Sequence, residues 1–322
     1  MTGPFDSATA ASGADRPDVS VLIATRRRSG ALARTLDGLA SMDTGAISWE
    51  LVVVDNDGSR ETARVVREAA VQAPVTLLVE PVAGKNRALN RALDVARGAL
   101  LAFTDDDVSV EPTWLREICE GAARWPGAVM FGGRILPRWP EGQEPPVFHP
   151  FFEHAYAIAD FARPEGPYSS VNVYGPNMAV RSMVFKSGMR FDVNVGPNGT
   201  ANYIPGSETS LTVTLQLAGQ IAVYLPRALV HHEVRPEQLA PAWLYGRAFR
   251  RGRAEAVREV RAGRLRRAPR DKFLEAAREY AAWWRARWRR DRAAALDHGL
   301  EYWKARGFIH QWRVGQRPAR VP

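Results

Sequence analysis

The sequence has a single cysteine, Cys119, in 322 residues. That excludes a disulfide scaffold and any cysteine-rich zinc module, and it leads us to expect a reducing, cytoplasmic compartment. No apolar run approaches the roughly 20 residues that a bilayer span needs. The opening MTGPFDSATAASGADRP has no basic stretch followed by an apolar one, so it does not read as a secretory signal. Residues 1–17 are expected to be a disordered lead-in. Neither G-x-x-x-x-G-K-[ST] nor G-x-G-x-x-G occurs, so P-loop and dinucleotide-fold readings lose their key support. Internal repeats and low-complexity tracts are also missing.

What is present is ordinary in amount and uneven in placement. Hydrophobic residues make up 46% and charged residues 25%, enough for a sizeable core. The net charge of +9 conceals a split. Residues 1–241 carry 22 Lys and Arg against 27 Asp and Glu, whereas residues 242–322 carry 22 against 8. The second segment also holds six of the ten tryptophans: Trp243, Trp283, Trp284, Trp288, Trp303 and Trp312. A basic aromatic tail attracts phosphates, anionic lipids or an acidic partner. A solvated face of a packing helix explains the same composition equally well.

Hydrophobic periodicity orders the first half. Val19–Ala24, Glu50–Asp55, Val75–Glu80, Ala99–Thr104 and Ala128–Gly133 read as buried strands. Helical patterns lie between them, through Leu32, Leu36 and Leu39, over Glu61–Val71 and Lys85–Ala96, and from Pro112 to about Arg124. Strands alternating with such helices predict a doubly wound, mainly parallel α/β sheet. The region 137–176 is rich in proline and aromatics and is expected to be loops, with a short helix around Phe151–Phe161. A short strand Met178–Arg181, a helix over 206–219 capped by Gly219, and two short strands, IAVYLP and ALVHH, follow. From Pro236 onward the chain reads as helical. Three parts are expected: the lead-in, a main α/β domain over 18–240 (halves 18–135 and 136–240), and a basic extension over 241–322.

The strongest chemical signal is Asp105-Asp106-Asp107, directly after a buried strand. Ligands of open parallel sheets sit at the carboxyl ends of the strands. Three carboxylates there repel one another unless a cation is present, and hard divalent cations such as Mg²⁺ or Mn²⁺ prefer such oxygen ligands. The plain alternative is a solvated acidic turn. Asp55 also ends a buried strand, where it can receive hydrogen bonds from a base or ribose, or form an Asx turn. For the N-cap of the next helix, Asp57 and Ser59 are equally good candidates. Lys85 and Arg87 open a helix in GKNRALN, and a helix N-terminus with basic side chains favours an anion such as a diphosphate.

Together these stretches resemble the family 2 glycosyltransferases with the GT-A fold. The matching segments are VSVLIATRRR, ELVVVDNDGS, AGKNRALNRALDVARGALLAFTDDD, GPNMAVRSMVF, PGSETSLTVTLQLAGQIAVYLP and HHEV, in the family's order over roughly residues 19–240. The resemblance implies a nucleotide-diphospho-sugar donor, with UDP-sugars the default and dTDP- or GDP-sugars open. Ala24, Thr25, Arg27, Asp55, Lys85, Arg87, Asn90, Asp105 and Asp106 would then surround the nucleotide. Asp105 and Asp107 would be the DxD pair, with Asp107 the principal metal ligand. PGSETSL matches the segment that supplies the general base, which by position is Glu208; Ser207 stands where many relatives have a further acid. His232 would touch the metal or the diphosphate. The family's usual Arg before Asn90 is replaced by Leu89.

The implied reaction is inverting, non-processive sugar transfer to a hydroxyl of a carbohydrate, lipid-linked or small-molecule acceptor. It would use Mn²⁺ or Mg²⁺ as cofactor, and no nucleic acid is involved. A sugar nucleotidyltransferase and a non-catalytic membrane-associated scaffold are the alternatives. In the tail, Phe273, Ala277, Ala281, Trp284 and Trp288 form a helical stripe that needs a cover. The catalytic domain, an anionic membrane surface and a second copy in a homodimer are the three covers considered.

Overall fold

The structure is a computed structural model that describes residues 16–143, 145, 149–169, 173–200, 203–264 and 268–315. The lead-in expected over 1–17 therefore lies outside the described residues except at its end. There Arg16 is tied down: its guanidinium donates to Gly98 O at 2.9 Å and to Ser182 Oγ at 2.7 Å.

Strands β1 (Val19–Thr25), β2 (Trp49–Asp55), β3 (Val75–Val79) and β4 (Leu100–Asp105) are joined by helices α1 (Ser29–Ala40), α2 (Arg60–Glu68) and α3 (Lys85–Leu93). The next elements are β5 (Val108–Val110), α4 (Trp114–Arg124), β6 (Ala128–Arg138), α5 (Phe151–Ala155) and β7 (Gly166–Tyr168). Then come β8 (Met178–Arg181), α6 (Met183–Lys186), α7 (Thr209–Leu217) and β9 (Ile221–Glu233). Three long helices close the described chain: α8 (Pro241–Arg261), α9 (Arg270–Trp288) and α10 (Arg292–Gly315).

The sheet order is β3-β2-β1-β4-β8-β6-β9-β5, with β7 also on β9. The parallel, doubly wound pattern expected from the alternation holds for β1 to β4. Beyond β4 the sheet is mixed, because β8 inserts antiparallel between β4 and β6. The two strands expected in IAVYLP and ALVHH are one strand, β9, whose pairing with β6 shifts register between Gly133 and Arg134. A local irregularity is absorbed there instead of ending the strand. The short β5, which the sequence reading passed over, pairs antiparallel with β9, so that Val108 faces His232.

Both faces of the sheet are covered, which is why β1, β2 and β4 read as unbroken apolar runs. One cluster joins Val21, Ile23 and Val53 to Leu32, Leu36, Trp114 and Ile118 of α1 and α4. The other joins Leu22, Val52 and Phe103 to Ala88, Leu89, Leu211 and Leu215 of α3 and α7. Ser59 is the N-cap of α2, its Oγ accepting from the amides of Glu61 and Thr62. Gly219 follows α7 with φ +71°, as a C-cap glycine should.

The tail helices attach through α8, whose Leu244 and Ala248 pack with Phe152, Tyr156, Val234 and Leu300. Helix α10 lies along α8, and α9 lies along α10. The expected packing stripe of α9 is corrected. Its buried residues are Ala276, Glu279 and Ala286, with Trp283 stacked on Tyr302 at 5.8 Å. Phe273 is half-buried at the margin, while Ala277, Ala281, Trp284 and Trp288 face solvent. A buried acid disguises the true face: Glu279 accepts from His298 Nδ1 at 2.8 Å and from Arg278 Nε at 2.9 Å. Burial of a charge is tolerated when it is paired in this way.

Candidate active site

Strand register assembles the site. Across the sheet Thr25 stands beside Asp55 and Ala24 beside Asp105, so the last residues of β2, β1 and β4 form one edge. This is the carboxyl end of the parallel strands, at the point where β1 is flanked on both sides. Asp106 and Asp107 follow at once and are buried, at 3% and 8% exposure.

Two cations of the chain hold this acidic cluster together. Arg28 pairs with Asp106 at 2.8 Å and also with Asp107. Lys85, the first residue of α3, pairs with Asp105. Thr25 Oγ1 donates to Asp106 at 2.7 Å. Burial pushes Asp106 up, to about 6, against the pull of Arg28 and aided by the neighbouring Asp107 charge. Burial would raise Asp107 as well, but His232 and Arg28 outweigh it and hold that carboxyl well below the usual range. Arg28 was missed in the sequence, where ATRRRSG offers three candidates. The chain turns at Arg27, which adopts a left-handed φ of +56°. That sparsely populated conformation in a non-glycine residue is a local strain. The one usable signal is that Arg28 sits immediately before α1.

His232 reaches the cluster because β9, which carries it, pairs antiparallel with β5 directly after the three acids. Its Nδ1 donates to Tyr156 O at 2.7 Å, which leaves Nε2 3.4 Å from Asp107 Oδ1. A ring whose other nitrogen is fixed by a carbonyl is oriented as metal-ligating histidines usually are. Burial disfavours its charged form, yet the Asp107 carboxylate overrides this and raises its pKa. His231 alternates to the other face, 3.5 Å from Glu111. Ligand atoms of Asp105, Asp107 and His232 all lie within 4.8 Å of one another. Two carboxylates and one imidazole suit Mn²⁺ or Mg²⁺. The residues present thus fit the cation that the sequence implied.

Glu208 stands just before α7 and makes no side-chain cap to it. Its carboxylate instead helps line a small cavity shared with Lys85, Asp105, Gly175 and Ser207. A Cβ added at Gly175 would lie 3.7 Å from Lys85 Nζ and 3.8 Å from Glu208 Oε2, in ordinary contact, so the Gly175 backbone borders both side chains. The Glu208 charge and that of Asp105 raise the Lys85 pKa against its burial. The cavity, whose other walls include Leu89, Phe103, Met178 and Phe191, lies between Asp105 of the acidic cluster and Glu208.

The other candidates are placed less directly. Asp55 is buried and accepts from the amides of Asp57 (3.0 Å) and Ser59 (2.7 Å), an Asx-type turn. Arg27 is exposed and pairs with Asp57 at 2.9 Å, away from the cluster. Arg87 is exposed on α3. Both amide atoms of Asn90 bond the main chain of Phe191 at 2.9 Å, so this side chain fixes the loop that precedes α7. Asn86, not singled out in the sequence, does the same from the previous turn through Asp192 O, Val195 O and Ser207 O.

A sheet with this order, an acidic cluster at its carboxyl edge and a mixed second half define a GT-A glycosyltransferase fold. The Glycosyl transferase family 2 model matches residues 20–188, just over half of the chain, and the chain belongs to that family. It is 28% identical over 244 residues to the succinoglycan biosynthesis protein ExoM of Rhizobium meliloti, covering 73% of this chain and 72% of the relative. It is 24% identical over 216 residues to the glucosyl-dolichyl phosphate glucuronosyltransferase of Haloferax volcanii, covering 66% and 67%. Among solved structures, a mannosyltransferase of Pyrobaculum calidifontis in complex with GDP-Man and Mn²⁺ superposes with a TM-score of 0.54 at 20% identity, covering 92% of this chain and 84% of the neighbour. TarS of S. aureus in complex with UDP-GlcNAc gives 0.53 at 15%, covering 93% and 92%. The protein is a glycosyltransferase. Among the described residues no helix is long and apolar enough to cross a membrane.

Proposed function

We propose that this chain transfers one sugar at a time, with inversion, from a nucleotide-diphosphate donor to an acceptor hydroxyl, and that a divalent cation is required. The observation that carries this reading is the small cavity between Asp105 and Glu208, with Asp107 and His232 beside Asp105. Glu208 accepts the hydroxyl proton. The freed oxygen attacks the anomeric carbon, and the bond to the nucleoside diphosphate breaks on the opposite side. Asp105, Asp107 and His232 would hold the cation. A bound Mn²⁺ or Mg²⁺ supplies Lewis-acid neutralisation of the departing diphosphate, worth several kcal/mol.

The chain's own groups do the remaining work. Asp55, whose orientation is set by two amides, faces the nucleoside side of the edge. Thr25, Ala24 and Asp106 form the floor. Lys85 and Arg28, which neutralise the carboxylates in this structure, are the cations nearest an incoming diphosphate. UDP-sugars are the favoured donors on the family resemblance; structural neighbours bind UDP-GlcNAc and GDP-Man, so GDP-sugars stay in the panel beside UDP- and dTDP-sugars. A role in polysaccharide or glycoconjugate assembly follows the similarity to a succinoglycan biosynthesis protein.

The test is a panel of nucleotide sugars screened for donor hydrolysis and binding, with Mn²⁺ and with chelator. Metal-dependent release of nucleoside diphosphate from one donor supports the reading. Release of pyrophosphate would make the enzyme a nucleotidyltransferase, and no release from any donor with metal would remove the catalytic assignment.

A further inference from the structure

The outward face of α9 has no partner among the described residues, although its composition is that of a buried one. Leu274 is 73% exposed, Trp284 50% and Trp288 84%. With Ala277 and Ala281 they recur at three- and four-residue steps, so they form one stripe along the helix. Five such positions on a helix surface would be unremarkable if polar. Large apolar side chains aligned on one exposed face instead mark an interaction surface. The stripe continues into an open groove between α9 and α10 that is lined by Phe273, Tyr280, Tyr302, Ile309, Arg306 and Arg313.

Positive charge surrounds this face. The segment from Arg285 to Arg292 contains five arginines and one acid, Asp291. Arg287 lies over the rings of Trp283 and Trp284 at 5.5 and 5.4 Å. Arg306 lies over Tyr302 at 5.8 Å and Arg313 over Phe273 at 5.4 Å. The acids of α9 are largely spent: Glu275 pairs with Lys272, and Glu279 with His298 and Arg278. A second copy of the chain seated on this face would bring arginines against arginines, which like-charge repulsion opposes. An anionic lipid surface meets both demands at once. Indoles and tyrosines favour the headgroup boundary, and guanidinium groups favour acidic headgroups.

We propose that α9 docks this enzyme peripherally on an anionic membrane, with Leu274, Trp284 and Trp288 entering the interface and Arg285, Arg287 and Arg289 facing the headgroups. The outward stripe runs over 15 residues of helix, from Leu274 to Trp288, about 21 Å at a rise of 1.5 Å per residue, and lies in the membrane plane. The inference rests on the surface alone, not on the donor or acceptor proposed above. Its readout is binding, so it stands or fails separately from the sugar-transfer reading.

The full chain is sedimented with vesicles of phosphatidylcholine alone and with vesicles that also contain phosphatidylglycerol. We expect co-sedimentation only with the second set, reversed by high salt because screening shortens the reach of the arginines. Replacing Arg285, Arg287 and Arg289 together by Gln should weaken partitioning about 100-fold, at about fivefold for each basic residue. Trp284→Gln with Trp288→Gln should abolish quenching of tryptophan fluorescence by brominated lipid tails. Both sets of positions are exposed, so melting temperatures should match the parent; a variant that fails to fold is replaced by Trp288→Gln alone. Equal sedimentation with both vesicle types, or binding that neither set of substitutions changes, overturns the proposal. A concentration-dependent dimer that buries Trp288 without lipid overturns it in favour of a second copy.

Discussion

Strand β1 has a buried carboxylate cluster at each end, and the two are built to opposite specifications. At its N-terminal end Glu50 accepts from Ser20 Oγ at 2.6 Å, from the amide of Arg97 at 2.7 Å and from the Arg97 guanidinium at 2.8 and 2.9 Å. One acid thus has four donors. Burial raises its pKa, and the donors outweigh burial and leave it lowered. At the C-terminal end three consecutive acids share Arg28, Lys85, Thr25 and His232. There Asp106 is pushed up to about 6 while Asp107 is pulled down. The first cluster is satisfied by the fold. The second is held together by charges that another cation or a diphosphate can displace. Buried charge serves stability only when every partner is supplied locally. Where it is not, the excess is available for binding.

The sharpest way to break this comparison is Asp107→Ala. Sugar transfer should fall about 10⁴-fold or more, the several kcal/mol that a Lewis acid contributes. The melting temperature should fall modestly, because Arg28 and His232 lose the carboxylate that pairs with them while Asp105 and Asp106 remain beside them. Steady-state turnover with Mn²⁺ and a thermal melt measure the two. Turnover equal to that of the parent in the presence of Mn²⁺, or a melt that collapses, would make the upper cluster structural like the lower one.

Next in size is Glu208→Gln, which keeps shape and removes the proton acceptor. Turnover should drop by about 10²–10⁴, the usual worth of a general base. Donor affinity by calorimetry should be nearly unchanged. A loss confined to donor binding would move Glu208 from the acceptor side to the nucleotide side.

Glu50→Gln tests the other end. Removing one partner of a buried pair costs about 3–5 kcal/mol when both are buried. Arg97 is 55% exposed, and water can take over its charge, so about 2 kcal/mol is expected here. Chemical denaturation should show this loss while turnover of the folded enzyme stays at the parent value. A turnover defect as large as that of Asp107→Ala would mean that the two ends are coupled.

The upper cluster was legible in the sequence because both its strand and its acids are contiguous. ALLAFTDDD contains the buried strand and the ligands in one stretch. Lys85 was legible for the same reason, as the opening residue of a helix. Arg28 was not, because three adjacent arginines look alike until the backbone turns at Arg27. The role of β5 was hidden too: Val108–Val110 is too short to show a period, yet it decides that His232 meets Asp107. The direction of the strands beyond β4 was not legible, because strand direction leaves no mark in composition. On α9, Trp283 and Trp284 are adjacent and belong to different faces. Counting apolar residues could not choose between two overlapping stripes, since the packed one contains Glu279.

The smallest expected effect is also at the lower end and asks whether its donors act one by one. Ser20 is fully buried; its hydroxyl donates to Glu50 and accepts from the amide of Gly98 at 2.8 Å. Ser20→Ala removes both bonds but leaves Arg97 in place. Loss of such a hydroxyl costs about 1–2 kcal/mol, more than one average hydrogen bond because the Gly98 amide is left without an acceptor. The loss should be smaller than that of Glu50→Gln. In the double variant the two should add to less than their sum, since they share a bond. Denaturation of the two single variants and the double variant closes that cycle. Full additivity would show that Glu50 is held by Arg97 alone, and the lower cluster would then be a simple ion pair instead of the four-donor site the geometry describes.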